Sequence, residues 1–177
     1  MKYSNLESNI IDVMKEEQLK LGYRSEVVRL YYPLASLNRL MEEELDVIEM
    51  EQALGGFAAF TQERLGQIEI SYAGERFCLA IPSQGSDYVH EHMDDREFIC
   101  DFIQTVGRHG CTMEEVLQQF YNYSSCIHVE QLQDGEFDYL VYFEDGKPDS
   151  FRYCFKDEGG HIIYHRFTIG DYEDFGF

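Results

Sequence analysis

Apolar residues along the first twenty-odd positions recur at helical spacing. Leu6, Ile10, Val13, Met14 and Leu21 follow a Ser4-x-x-Glu7 capping signature and end at Gly22, so the pattern predicts a helix over 5–21. Glu26-Val-Val-Arg-Leu-Tyr-Tyr32 is ambiguous between strand and helix. Pro33 suits a first helical turn, with Leu34, Leu37, Leu40 and Met41 on one face, and the segment is read as a helix over about 26–44, bent near Pro33. Asp46-Val-Ile-Glu49 opens a further helix through Leu54 that resumes after Gly55-Gly56 and runs to Arg64. The period then falls to two. Residues 67–72 and 76–81 alternate around Ala73-Gly74-Glu75 and predict a β-hairpin.

A polar stretch, 83–95, reads as a loop. Phe98, Ile99, Phe102, Ile103 and Val106 then restore helical spacing up to Gly107 or Gly110, and Thr112-Met-Glu-Glu115 caps another helix to about Tyr121. From Cys126 the chain predicts a meander of four strands near 126–132, 137–143, 150–156 and 161–168, with turns at Asp134-Gly135, Asp145-Gly146 and Gly159-Gly160. The fold class expected is α+β, helices followed by antiparallel hairpins. One domain is expected, built of subunits 1–92 and 93–177. Each half runs helix, capped shorter helix, strands, the order of a degenerate tandem of winged-helix-like units.

The stretch Lys20-Leu-Gly-Tyr-Arg-Ser-Glu-Val-Val-Arg-Leu-Tyr-Tyr-Pro-Leu-Ala-Ser-Leu-Asn-Arg-Leu-Met41 resembles a family of short acidic proteins from clostridia and related Firmicutes that carries a domain-of-unknown-function description. The resemblance covers nearly the whole chain. It implies a bacterial cytoplasmic setting and transfers no activity, cofactor or site residue.

Charge narrows the classes of partner. The chain of 177 residues has 34 acidic against 14 basic residues, net −20, with 14 acids and 8 bases over 1–82 and 20 acids and 6 bases over 83–177. A field of that sign repels phosphate backbones and anionic lipid, which argues against nucleic acid and membrane surfaces and for basic proteins or divalent cations. No apolar run approaches the roughly 20 residues that span a bilayer. The N-terminus moves straight into an amphipathic pattern instead of a signal core, so export by that route is not expected. Cys78, Cys100, Cys111, Cys126 and Cys154 form no Cys-x-x-Cys pair and read as reduced thiols, mostly buried.

Chemistry is sparse. His90-Glu91-His92-Met93-Asp94-Asp95 places imidazoles two apart before carboxylates, a pattern that can converge on a divalent metal, with His109, His128, His161 or His165 as further donors. It resembles the His-x-His-x-Asp-His motif of metallo-β-lactamase-like hydrolases, but Asp95 stands where that motif has its last histidine, and the chain is too short for that fold. The simpler account has Asp94 or Asp95 capping the next helix and the histidines on a solvated loop. Cys126-Ile-His128 sets a thiol and an imidazole on one strand face about 7 Å apart, outside hydrogen-bond reach, and His161 and His165 stand about 13 Å apart by the same rise. No phosphate loop, nucleophile elbow or dinucleotide fingerprint is present, so no cofactor is implied beyond that one candidate for a divalent metal. Phe137, Tyr139, Phe143, Phe151, Tyr153 and Phe155 predict the core face of a sheet. Tyr172, Phe175 and Phe177, interleaved with acids, are candidate docking anchors at the C-terminus. The expectation is a non-enzymatic acidic interaction protein of the cytoplasm. The alternative is a metal-dependent hydrolase centred on His90, His92, Asp94 and Asp95.

Overall fold

The computed structural model describes residues 2–133 and 135–169. They form an α+β fold of two compact units, Met1–Met93 and Asp94–Phe177.

The first unit begins with α1 (Tyr3–Leu21). The capping box expected at Ser4 does not form: the helix starts two residues earlier than expected, because Tyr3 is tied down by its hydroxyl donating to the Ala53 carbonyl (3.0 Å) and by ring contact with Phe57, while Glu7 is held by Arg64 (2.5 and 3.2 Å). Gly22 closes the helix in the left-handed conformation, as its position predicts.

The helix expected over 26–44 is corrected. Residues Val27–Pro33 are a strand, β1, and the helix α2 (Leu34–Met41) begins only after the proline. β-branched and aromatic residues at 27, 28, 31 and 32 favour the pleated conformation, and Tyr32, preceding Pro33, is pushed out of the helical region by the pyrrolidine ring.

Helix α3 (Val47–Leu65) carries the expected capping box, Asp46 accepting from the Ile48 and Glu49 amides while Glu49 accepts from the Asp46 amide. It runs unbroken through Gly55-Gly56. A β-carbon at Gly56 would collide with the Tyr3 hydroxyl, so that glycine is where α1's first residue docks on α3.

The hairpin β2 (Glu69–Ala73) and β3 (Arg76–Pro82) follows as predicted, and β1 pairs antiparallel with β3 in a sheet of order β1-β3-β2. The succession α1, β1, α2, α3, β2, β3 in this strand order is a winged-helix arrangement. The stretch read as a loop from 83 is instead a helix, α4 (Ser83–Glu91), over most of its length. Its helicity was hidden because only Val89 among its large apolar residues is buried, and it carries Gly85 where a β-carbon would collide with the Ile81 side chain and the Leu65 carbonyl. The core of this unit gathers Leu6, Ile10, Met14, Leu37, Leu54, Phe57, Phe77, Leu79 and Ile81, all buried, each contributing roughly 1.5–3 kcal/mol against exposure.

The second unit opens with α5 (Phe98–Val106) and α6 (Met113–Tyr123), the latter with the Thr112–Glu115 capping box. Four strands follow, β4 (Ile127–Gln131), β5 (Tyr139–Phe143), β6 (Arg152–Asp157) and β7 (Ile162–Phe167), as an antiparallel meander β4-β5-β6-β7. Its element order, two helices then four strands, differs from that of the first unit. Phe98, Phe102, Phe120, Phe143, Tyr153 and Phe155 interlock edge to face, the expected core of a sheet packed on helices. Phe137 goes elsewhere, packing with Leu140, Cys154 and Phe167 on the opposite face.

Inside this core lies a buried charge pair. Arg166 donates from Nη2 to Asp149 Oδ2 (2.9 Å) and from Nε to the Tyr153 hydroxyl (2.9 Å), which in turn donates to Asp149 Oδ2 (2.6 Å). Asp149 Oδ1 takes the Phe151 amide (2.8 Å), and the guanidinium lies 3.7 Å from the Phe151 ring centre. Burial and the neighbouring Asp149 carboxylate push the Tyr153 hydroxyl well above its usual range.

Two consequences are measurable. Asp149→Ala strands the Arg166 cation in the core and is expected to cost roughly 3–5 kcal/mol in urea unfolding, whereas Asp149→Ala with Arg166→Met costs less because no charge is orphaned. Tyr123 donates to the Asp101 carboxylate, and partial burial together with that bond pushes its hydroxyl from 10.0 up to about 12. The fold favours the neutral phenol, so this contribution is intact below pH 10.0 and is lost as pH rises through about 12. Stability measured across that window should fall less steeply in Tyr123→Phe.

Candidate interaction surface

The α2–α3 segment is a helix-turn-helix whose turn is held rigidly. Asn38 clamps it with both side-chain atoms, Nδ2 to the Leu45 carbonyl (3.0 Å) and Oδ1 from the Leu45 amide (2.9 Å), and Glu42 takes the left-handed conformation (φ 54°) that ends α2. What this scaffold presents is acidic. Residues 42–51 hold six carboxylates, Glu42, Glu43, Glu44, Asp46, Glu49 and Glu51, and no Lys, Arg or His. All but the half-buried Glu43 are exposed, and Glu42 pairs with Lys2 (2.6 Å). Among these acids stands Ile48, 64% exposed, and farther along α3 is Phe60, 48% exposed. Arg64, the cation of α3, is committed to Glu7 and lies over the Phe60 ring (5.2 Å). Tyr72 on β2 reaches back to Glu51 (3.3 Å), joining the helix surface to the sheet.

The residues singled out from the sequence lie elsewhere. His90 is in the last turn of α4 and His92 is its C-cap, not on a loop; His92 stacks on Tyr88 (4.1 Å between ring centres) with Nδ1 2.8 Å from the Tyr88 carbonyl oxygen. Asp94 and Asp95 belong to the other unit. Neither caps α5, whose N-cap is Glu97. Asp94 instead binds Arg96 through the backbone amide (2.9 Å) and a two-pronged guanidinium contact (3.1 Å each), and these hydrogen bonds from Arg96 hold its carboxyl below the usual range. Among the described residues no group of three or more His, Cys, Asp or Glu side chains stands where it could hold a metal ion.

Of the other histidines, His161 lies against His109 (4.9 Å between ring centres), whereas His165 stacks on Phe167 (5.7 Å). Cys126 and His128 have Glu144 between them: the thiol donates to Glu144 Oε2 (3.5 Å), and His128 Nδ1 is 4.0 Å from Oε1. That hydrogen bond from the thiol to Glu144 raises the Cys126 pKa, away from the thiolate a nucleophile needs. The five cysteines are all unbridged, three buried, Cys78 half-buried and Cys126 exposed. Tyr172, Phe175 and Phe177 lie outside the described residues.

The acidic turn was in plain view in the sequence as Glu-Glu-Glu-Leu-Asp, but its place in a helix-turn-helix depended on β1, which the sequence reading took for helix. Among the described residues no helix is long and apolar enough to cross a membrane.

A family model described as "Domain of unknown function, E. rectale Gene description (DUF3877)" matches residues 3–176, and the chain belongs to that family. No curated protein and no solved structure matches the chain significantly.

The metal cluster can be weighed directly. Because His92 and Asp94 already have local partners, elemental analysis of untagged protein is expected to give well under one equivalent of zinc, manganese or iron, unchanged by His90→Ala with His92→Ala. A full equivalent lost in that variant would restore the cluster as a metal centre.

Proposed function

We propose that this member of the family is a non-enzymatic interaction protein of the bacterial cytoplasm, whose first unit meets a basic protein surface. The carrying observation is the acidic helix-turn-helix. In nucleic-acid-binding proteins of this arrangement the second helix enters a groove between phosphates, and cations supply most of the affinity. Here the corresponding turn and helix start bear six carboxylates over 42–51. The same charges that repel a phosphate backbone steer a basic protein toward the surface, and Ile48 and Phe60 offer apolar anchors beside them. A surface of this kind calls for no cofactor. Five unbridged thiols fit a reducing compartment.

The test is affinity capture from lysate of the source cell with the wild-type chain and with Ile48→Ala, Glu49→Lys, Glu51→Lys combined. Salt is set at about 0.05 M and about 0.3 M, either side of the ionic strength at which exposed charges are screened beyond about 10 Å. A basic protein retained at low salt, weakened at higher salt and absent from the variant is expected. Retention of nothing at either salt, or equal retention by the variant, would count against the reading.

A further inference from the structure

Side chains alternate across the first sheet, so turning Val28, Phe77, Leu79 and Ile81 into the core puts their strand neighbours on the other face. The register arranges that face in rows. Tyr31, Cys78 and Ser71 make one row across β1, β3 and β2, and Pro33, Arg76 and Ala73 make the next. A pocket of about 410 Å³ opens on these two rows, lined by Tyr31, Ser71, Tyr72, Ala73, Arg76 and Cys78.

Cys78, half-buried on the central strand, forms the floor. Tyr31, 56% exposed, gives an aromatic wall. Arg76 is the one charged residue of the lining, its guanidinium carbon 5.7 Å from the centre of the Tyr31 ring. It makes no ion pair among the described residues. That is unusual in a chain of net charge −20: Arg24, Arg64, Arg96, Arg108 and Arg166 each hold a carboxylate. The side chains of Ser71 and Cys78 and the Tyr31 hydroxyl likewise make no hydrogen bond among the described residues, whereas the Tyr72 hydroxyl is committed to Glu51 (3.3 Å). Neither Glu69 nor Glu75, the acids nearest in sequence, lines the pocket, and Glu69 is offset on the same face by Arg29 across Ala80.

We propose that this pocket binds a small aromatic carboxylate, its carboxylate paired with Arg76 and its ring laid against Tyr31. The guanidinium fork matches a carboxylate with two parallel hydrogen bonds, and an aromatic ring stacks on tyrosine. The Ser71 and Tyr31 hydroxyls add polar contacts, and the volume is within the roughly 300–1,000 Å³ usual for small-molecule sites. The acidic field of the chain favours a monoanion over a more highly charged phosphate. This site is separate from the acidic α3 surface and does not rest on the reading of that surface.

The probe is 2-naphthoate, with 2-naphthamide as its neutral counterpart and cyclohexanecarboxylate as the acid without an aromatic ring. Binding to the full chain is read by calorimetry and by amide NMR shifts. Single-site binding of 2-naphthoate with a Kd below about 1 mM is expected, its shifts centred on 29–33, 69–73 and 76–80. Arg76→Gln and the amide should each weaken binding at least about tenfold, and cyclohexanecarboxylate or Tyr31→Leu at least about threefold. Arg29→Gln, outside the pocket, should change it less than about twofold. No saturation by about 5 mM, equal binding of 2-naphthamide, equal losses in Arg29→Gln and Arg76→Gln, or shifts centred elsewhere would each overturn the proposal. The α3 triple variant should bind 2-naphthoate as wild type does, so the two readings fail separately.

Discussion

The pairing of β1 with β3 is the contact on which the first unit depends. Seven residue pairs, from Val27 opposite Pro82 to Pro33 opposite Arg76, join segments nearly fifty residues apart in the chain. The pairing satisfies one side of each strand's backbone and turns Val28 into a core with Phe77, Leu79 and Ile81. It also delivers the chain at Pro33 to the start of α2, where the Leu34 amide is taken by the Glu75 carbonyl (2.7 Å). From there the helix-turn-helix follows. The arrangement leaves β1 at the end of the sheet, with a neighbouring strand on one side only among the described residues.

Acidic residues do two kinds of work. Some are consumed by the fold: Asp46 and Glu49 close the start of α3, Glu115 that of α6, Glu7 holds Arg64, and Asp149 sits with Arg166 in the second core. The remainder outnumber the cations so heavily that they cannot be paired within the chain. They concentrate where they face water, including the turn before α3. Such a distribution stabilises nothing locally, since like charges repel.

The polar groups of the second unit fall into a buried set and an exposed one. Tyr153, Asp149 and Arg166 satisfy one another behind a wall of aromatic rings, where no substrate atom reaches them. Cys126 is exposed and His128 half-buried, and the hydrogen bond from the thiol to Glu144 raises the Cys126 pKa. A raised thiol pKa is the opposite of the shift that favours the thiolate.

Local chemistry by itself determined much of this molecule. The capping boxes at Asp46 and Thr112, the Gly22 stop, the Gly74 hairpin and the four-strand meander were legible because each depends on residues close in sequence. The acidic excess and the lack of Lys, Arg or His over 42–51 were equally plain. Only the tertiary structure decided that Val27–Pro33 is a strand, because the same apolar spacing serves either conformation until β3 is present to accept its hydrogen bonds. It decided likewise that Glu7 binds Arg64 instead of capping α1, that α4 is helical, and that the His90–Asp95 run is divided between two units. In each case the deciding partner lies outside the local pattern, which is why periodicity and motif spacing could not supply it.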